Sequence, residues 1–257
     1  AEGGWISDLQ EAFDGILSFQ SKDTLYAFDL RSERFLPVLT EDGHKINAVA
    51  TQSGQGQELW VLTPSELWLT ERALSSSADT LVLHVVKRHS RWKGLEGELT
   101  RLALRRDGGS VCVTDEHGRM AVADVRHPDR YVLVDLGLGS SLRVNHLLYD
   151  DDGYIWVSTL SYGIVRYDTN TGRILRLTYV DERMPGRLSH TDVFGVVPLE
   201  PGKYLAITGN GYTLLTLDKN NPGQVVTSVF NNPSSPIFRD IETRMLSVYY
   251  DPNGVLW

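Results

Sequence analysis

The stretch that decides the fold is Val144-Asn145-His146-Leu147-Leu148-Tyr149-Asp150-Asp151-Asp152-Gly153-Tyr154-Ile155-Trp156. A second copy runs Met245-Leu246-Ser247-Val248-Tyr249-Tyr250-Asp251-Pro252-Asn253-Gly254-Val255-Leu256-Trp257. Both place an apolar strand before Asp-x-x-Gly, and an apolar residue and a tryptophan after it. Asp accepts local backbone hydrogen bonds and Gly supplies a positive φ, so Asp-x-x-Gly is typical of a tight turn. Each copy therefore predicts a β-hairpin.

Weaker copies of this pattern occur along the whole chain. Taking Trp156 as the anchor, the equivalent positions are Leu17, Trp60, Cys112, Leu205 and Trp257. The intervals between successive anchors are 43 to 52 residues. Periods of this size are typical of four-stranded propeller blades. The shared position of the tryptophans predicts packing between blades rather than sugar stacking, and Cys112 is interpreted as a small buried apolar residue.

The second half of the pattern is also repeated, as a strand, an aspartate turn and another strand. It occurs at 24–35, 163–174 and 213–225. The sequence thus predicts an all-β fold, a β-propeller of four-stranded antiparallel blades with about five repeats and the start of a sixth. We assign one domain, 1–257, with units at 1–43, 44–96, 97–142, 143–187, 188–241 and a partial unit at 242–257. A β-sandwich is the alternative, but it would not explain an anchor at near-constant spacing.

The sequence stops at Trp257, just after a predicted hairpin turn. Two interpretations stay open: the array continues beyond this fragment, or the terminal strand completes the first blade and closes the ring. The first unit shows no clear set of four strands, which favours room for such closure.

The segment from Asp150 to Asp168 resembles the two-component regulator propeller repeat. That family's pattern is D-x-x-G-x-[IL]-W-[IV]-[GS]-T, a few residues, then G-[IL]-x-[RK]-[YF]-[DN], and the fourth unit matches it almost throughout. The resemblance implies the periplasmic sensor domain of a bacterial hybrid two-component system, often one that controls glycan use. It also implies a connection, through a membrane helix, to a histidine kinase module outside this chain.

Composition narrows the function classes. The 257 residues carry a net charge of −8, and no cluster of Lys and Arg is present, so nucleic-acid binding is not expected. No apolar run is long enough for a transmembrane helix, so we expect no membrane segment in this chain. The single cysteine excludes an internal disulfide.

Motifs that could suggest a metal or catalysis fail on spacing. The Asp150–Asp152 run lacks the glutamate of a calcium-binding EF-hand loop, because position 159 is Thr. The sialidase Asp-box is broken by Tyr149 and Ile155. The histidines form no metal-binding pair. We therefore predict no metal, no cofactor and no catalytic residues.

Long connections predict where a ligand would bind, because recognition residues concentrate on loops held by a rigid scaffold. They lie at 88–98, 180–190 and 230–243. In a propeller they share one face with the loops that join the second and third strands of each blade. The predicted ligand-binding residues are Tyr162, Arg183, His190, Asn210 and Tyr212, and the same face is expected to carry Trp92, Phe238 and Arg239. We expect Tyr162, His190 and Tyr212 to converge where the fourth and fifth units meet.

These observations favour a non-enzymatic, periplasmic sensor domain that binds a small molecule or an oligosaccharide and acts on neighbouring domains of the same sensor. A homodimer is compatible with this function. The alternative is a generic protein-interaction propeller. A glycan-active enzyme is the third hypothesis.

Overall fold

The structure is a computed structural model, and it describes residues 7–90, 92–139, 142–179, 187–218, 220–221 and 224–230. Within these ranges the chain forms twenty β-strands and no helix. Short runs of Val, Ile, Leu and aromatic residues, separated by turn residues such as Asp and Gly, account for this pattern. The predicted all-β fold is confirmed.

The strands follow one another in groups of four, and each group forms an antiparallel meander that we call a blade. Blade 1 has β1 (Ser7–Phe13), β2 (Ile16–Ser21), β3 (Thr24–Asp29) and β4 (Arg34–Thr40). Blade 2 has β5 (Ala50–Ser53), β6 (Glu58–Leu62), β7 (Leu67–Arg72) and β8 (Leu81–His89). Blade 3 has β9 (Leu99–Leu104), β10 (Ser110–Asp115), β11 (Met120–Asp124) and β12 (His127–Val134). Blade 4 has β13 (Val144–Tyr149), β14 (Tyr154–Thr159), β15 (Ile164–Asp168) and β16 (Ile174–Leu177). Blade 5 has β17 (Val193–Glu200), β18 (Lys203–Thr208), β19 (Tyr212–Leu217) and β20 (Val225–Phe230).

The blades belong to two compact units, Ala1–Asp135 and Leu136–Trp257. Blades 1 to 3 lie in the first unit and blades 4 and 5 in the second. Inside the first unit, β4 and β8 pair in parallel, so blades 1 and 2 share one eight-stranded sheet. This pairing covers two strand edges that would otherwise be open.

Consecutive blades within each unit pack face to face through apolar side chains. Trp60 is the third residue of β6 and packs against blade 3, while Trp156 is the third residue of β14 and packs against blade 5. Both tryptophans are buried. The prediction that they occupy equivalent positions between blades is confirmed. Cys112 is also the third residue of its strand and is fully buried, and this burial raises the pKa of its thiol.

Two expectations about the first repeat, 1–43, are wrong. It contains four complete strands rather than an incomplete set. Its anchor is also displaced by one residue, since Leu17 is only half-buried and Ser18 faces blade 2 together with Ile16. The Asp14-Gly15 turn is shorter than the Asp-x-x-Gly turn, and a shift of one residue moves a side chain to the opposite face of the sheet.

Side-chain amides connect the first strands of neighbouring blades. Gln10 Oε1 accepts the Ser53 N–H, and Gln52 Oε1 accepts the Leu104 N–H. Asn145 Nδ2 donates to the Val193 carbonyl. Because these bonds satisfy backbone groups that β-pairing leaves open, they hold neighbouring blades in register.

The Asp150 carboxylate combines a turn, the anchor tryptophan and the next blade. Its Oδ1 accepts the backbone N–H groups of Asp152 and Tyr154, at 3.1 and 2.8 Å. Its Oδ2 accepts the indole N–H of Trp156 at 2.8 Å and the hydroxyl of Tyr204, on blade 5, at 3.0 Å. The predicted tight turn is confirmed, and it contains a buried carboxylate that binds two aromatic side chains.

Stability should depend on the protonation of Tyr204. Burial and the adjacent Asp150 carboxylate raise the pKa of this phenol. The folded protein therefore holds the proton to a higher pH than the unfolded chain, whose tyrosine pKa is about 10. The stabilisation is fully present below that pH and is lost as the pH rises above it.

We expect Tyr204→Phe to lower the free energy of unfolding by about 1.5–3 kcal/mol at neutral pH, the range for a hydrogen bond to a charged group. In urea unfolding, this difference from the wild-type protein should shrink above about pH 10. A difference that stays constant from neutral to alkaline pH would contradict the assignment.

Candidate functional site

Three loops come together at the junction of blades 4 and 5. We call this group the loop cluster: residues 160–163 between β14 and β15, residues 209–211 between β18 and β19, and residues 187–192 before β17. Gly163 donates its N–H to the Thr191 carbonyl at 2.7 Å, and Gly209 donates to the Asp192 carbonyl at 2.9 Å. The connection between the blades thus binds the loops of both blades, as the predicted placement of loops requires.

Asp192 also holds the blade 4 loop through its side chain. Its Oδ1 accepts the Ser161 N–H at 2.8 Å. Ser161 has a φ of 74°, in the left-handed region that is costly for residues other than glycine. Such backbone strain concentrates at functional positions, and here it precedes Tyr162, whose side chain is 38% exposed.

His190 is partly exposed and accepts a hydrogen bond from its own loop. Its Nδ1 accepts the Asp192 N–H at 2.9 Å. Because Nδ1 is an acceptor, the proton of the neutral ring lies on Nε2. The side chain is 39% exposed. Gly209 packs against this ring, and a Cβ at position 209 would lie only 2.9 Å from His190 Nδ1, which favours glycine there.

The structure brings some of the predicted ligand-binding residues together and separates others. Tyr162, His190 and Asn210 belong to the loop cluster, with the Asn210 N–H bonded to the Thr208 hydroxyl at 3.2 Å. Tyr212 lies at the start of β19, but its ring stacks on Phe230 at 5.0 Å, on the face of blade 5 away from blade 4. Alternation along the strand explains this orientation, because Leu215 and Leu217 are the residues that face blade 4.

Other residues expected on this face have different outcomes. Trp92 is buried in the core between blades 2 and 3, against His89 and Tyr131. That expectation is therefore wrong, because an apolar ring gains more from core burial than from exposure. Arg183, Phe238 and Arg239 lie outside the described residues.

The loop cluster carries several groups that can form hydrogen bonds. An imidazole N–H donor, a phenol, an amide and a carboxylate lie on loops that hydrogen bonds fix in place. The Asp192 carboxylate already accepts the backbone N–H and the hydroxyl of Ser161, so it helps to order the blade 4 loop. In the described parts of the chain, no group of three His, Cys, Asp or Glu side chains could hold a metal ion.

A second concave feature was not predicted from the sequence. It is a groove of about 770 Å³ between the outer part of blade 4 and the described residues Asn221, Gln224 and Val225 of blade 5. Blade 4 contributes an aromatic, charged and apolar wall, and blade 5 contributes two amides and a valine: Tyr154, Arg166, Asp168, Thr171, residues 173–177, Asn221, Gln224 and Val225. Nothing in the repeat pattern distinguishes this groove, since it depends on the spacing between two blades.

Comparison with known proteins supports the repeat. The family model described as two-component regulator propeller matches residues 137–161, in blade 4. The predicted resemblance is confirmed for this segment. No curated protein matches the chain. No helix long and apolar enough to cross a membrane occurs in the part of the chain that the structure describes.

Solved structures share the propeller fold at low sequence identity. The extracellular domain of the proposed hybrid two component system BT4673 from B. thetaiotaomicron has a TM-score of 0.67 and 15% identity over 96% of this chain and 31% of its own. This chain therefore spans about a third of that one. A chain in the Mitotic Checkpoint Complex gives 0.66 and 14%, over 100% of this chain and 72% of its own. Virginiamycin B lyase from Staphylococcus aureus gives 0.57 and 9%, over 90% and 72%.

The loop cluster should loosen in a specific way when Asp192 loses its side chain. In Asp192→Ala, the Ser161 N–H loses its acceptor, so its hydrogen exchange should accelerate by about tenfold or more. The Gly209 N–H is an internal control, because it binds the Asp192 backbone carbonyl, which remains. Asp192→Asn keeps an oxygen acceptor and should retain most of the protection. Equal exchange at Ser161 in the wild-type protein and Asp192→Ala would refute the contact.

Proposed function

We propose that this propeller is the ligand-sensing part of a bacterial two-component sensor. One observation supports this function most directly. The matched regulator repeat, residues 137–161, extends into the loop cluster, where Asp192 accepts the Ser161 N–H. The repeat and the loop at 160–163 are thus one continuous segment, and the Asp150 turn lies at the other end of β14.

The proposed ligand is carbohydrate-like. The Tyr162 ring can pack on the apolar face of a sugar, while His190 Nε2–H and Asn210 can bind hydroxyl groups. Arg183 remains a proposed contributor to the same surface. Tyr212 is left out of the proposed surface, since its ring stacks on Phe230.

In this proposal, the chain transmits the binding signal to domains outside it. Ligand binding at the loop cluster would shift the contact of the propeller with neighbouring domains of the same sensor, and a kinase module elsewhere would respond. An extracytoplasmic, periplasmic location agrees with the extracellular domain of BT4673, which is about three times as long as this chain. We assign no catalytic activity to the chain itself.

A protein-interaction propeller is the second candidate, and the groove along blade 4 favours it. An enzyme is less well supported. Glycosidases require two carboxyl groups at a defined separation, and Asp192 is the one acidic residue in the described loop cluster. A chain of the Mitotic Checkpoint Complex and a lyase both occur among the structural neighbours, so fold alone does not separate a binding module from an enzyme.

Calorimetry with a panel of neutral and acidic oligosaccharides tests the sensor proposal. We expect at least one oligosaccharide to bind, and Tyr162→Ala and His190→Ala each to weaken it by about tenfold, as the loss of one stacking or hydrogen-bonding group would. Tyr212→Ala is the matched control, an aromatic residue of the same blade junction that faces away, and should retain affinity.

Two results would contradict the proposal. Absence of binding across the panel would favour the interaction module. Binding that survives both Tyr162→Ala and His190→Ala would place the site elsewhere on the propeller. Thermal unfolding of Tyr162→Ala should stay close to that of the wild-type protein, because this side chain is partly exposed, whereas His190→Ala also loses the hydrogen bond from the Asp192 N–H.

A further inference from the structure

The groove on blade 4 follows the edge of β16. Residues 173–177 line it without interruption. Successive side chains of a strand point to opposite faces of a sheet. A groove that touches all five residues therefore runs along the strand edge, where backbone groups are accessible. Within the described residues, β16 is the last strand of its sheet.

The hydrogen-bond register shows which backbone groups face the groove. Asp168 donates its N–H to the Arg173 carbonyl at 2.9 Å, so these two residues form a hydrogen-bonded pair. Pairs of this type alternate along an antiparallel ladder. Leu175 and Leu177 therefore bond to β15, whereas the N–H and C=O groups of Ile174 and Arg176 point outward.

The charge in the groove is mainly positive. Arg166, Arg173 and Arg176 line it, and Asp168 is the one acidic lining residue. The Asp168 carboxylate is occupied by its own turn, where it accepts two backbone N–H groups and the Thr171 hydroxyl. In a protein of net charge −8, an arginine-lined groove is a local exception. Its charge is complementary to an acidic ligand.

The arginines differ in what holds them. Arg166 lies with its guanidinium carbon 3.5 Å from the centre of the Tyr154 ring, and burial lowers its pKa. Arg176 donates to the carbonyls of Leu136 and Gly137. Arg173 is exposed and forms no ion pair among the described residues. Arg173 is therefore the arginine available to a carboxylate from outside.

We propose that this groove binds an extended acidic peptide of a partner protein, which adds to β16 as a fifth strand of blade 4. Backbone groups of Ile174 and Arg176 bind the peptide main chain, and Arg173 binds a carboxylate of the peptide. Asn221 and Gln224, on the opposite wall, bind polar groups on the far side. This surface is separate from the loop cluster, and its function does not depend on sugar binding.

Fluorescence anisotropy tests the proposal with a labelled, capped peptide of alternating glutamate and valine. The same peptide with lysine in place of glutamate is the charge control. Ile174→Pro removes an outward N–H without touching the ladder to β15, a substitution that edge strands tolerate. Arg173→Glu reverses the charge of the exposed arginine. Thr227→Pro is the matched control, at an outward position of β20 that does not line the groove.

The glutamate peptide should bind and the lysine peptide should not. Ile174→Pro and Arg173→Glu should each weaken binding by about tenfold or more, while Thr227→Pro should leave it unchanged. Unchanged melting temperatures in the variants would show that the fold persists. Failure of the glutamate peptide to bind would overturn the proposal. The proposal would also be overturned if an acidic oligosaccharide bound the groove and Ile174→Pro left that binding unchanged, because such binding requires no strand addition.

Discussion

The buried Asp150 carboxylate is the constraint on which the second unit depends. An unpaired charge in this position would be costly, and four hydrogen bonds from a turn, an indole and a phenol offset its desolvation. The same group closes the hairpin of blade 4, orients Trp156 and reaches Tyr204 on blade 5. One side chain therefore links the local turn geometry to the packing between blades 4 and 5. The loop cluster lies on these two linked blades.

Features that arise from local chemistry could be predicted from the sequence. The Asp-x-x-Gly turn and the aspartate turns follow from side chains bonding to nearby backbone, so Asp150 and Asp168 identified the hairpins. The anchor positions of Trp60 and Trp156 followed from their spacing. The first repeat, 1–43, was harder, because a shorter turn places its anchor at Ser18 rather than at the predicted Leu17, and its described strands lack a tryptophan.

Features that depend on distant contacts could not be predicted. The side-chain amides of Gln10, Gln52 and Asn145 form hydrogen bonds with residues far apart in sequence, and so do β4 and β8 in their parallel pairing. For the candidate site, the loop positions of Tyr162 and His190 were accessible from the repeat. The orientation of Tyr212 was not, because its face depends on strand parity and on its contact with Phe230.

A double-mutant cycle between Asp150 and Tyr204 tests this account most directly. Asp150→Asn, Tyr204→Phe and the double variant would be compared with the wild-type protein by urea unfolding at neutral pH. If one carboxylate links the two blades, the interaction free energy should be about 1–3 kcal/mol, as for residues in direct contact. Additive effects of the two substitutions, within about 0.3 kcal/mol, would show that the Asp150–Tyr204 contact does not link the two blades energetically.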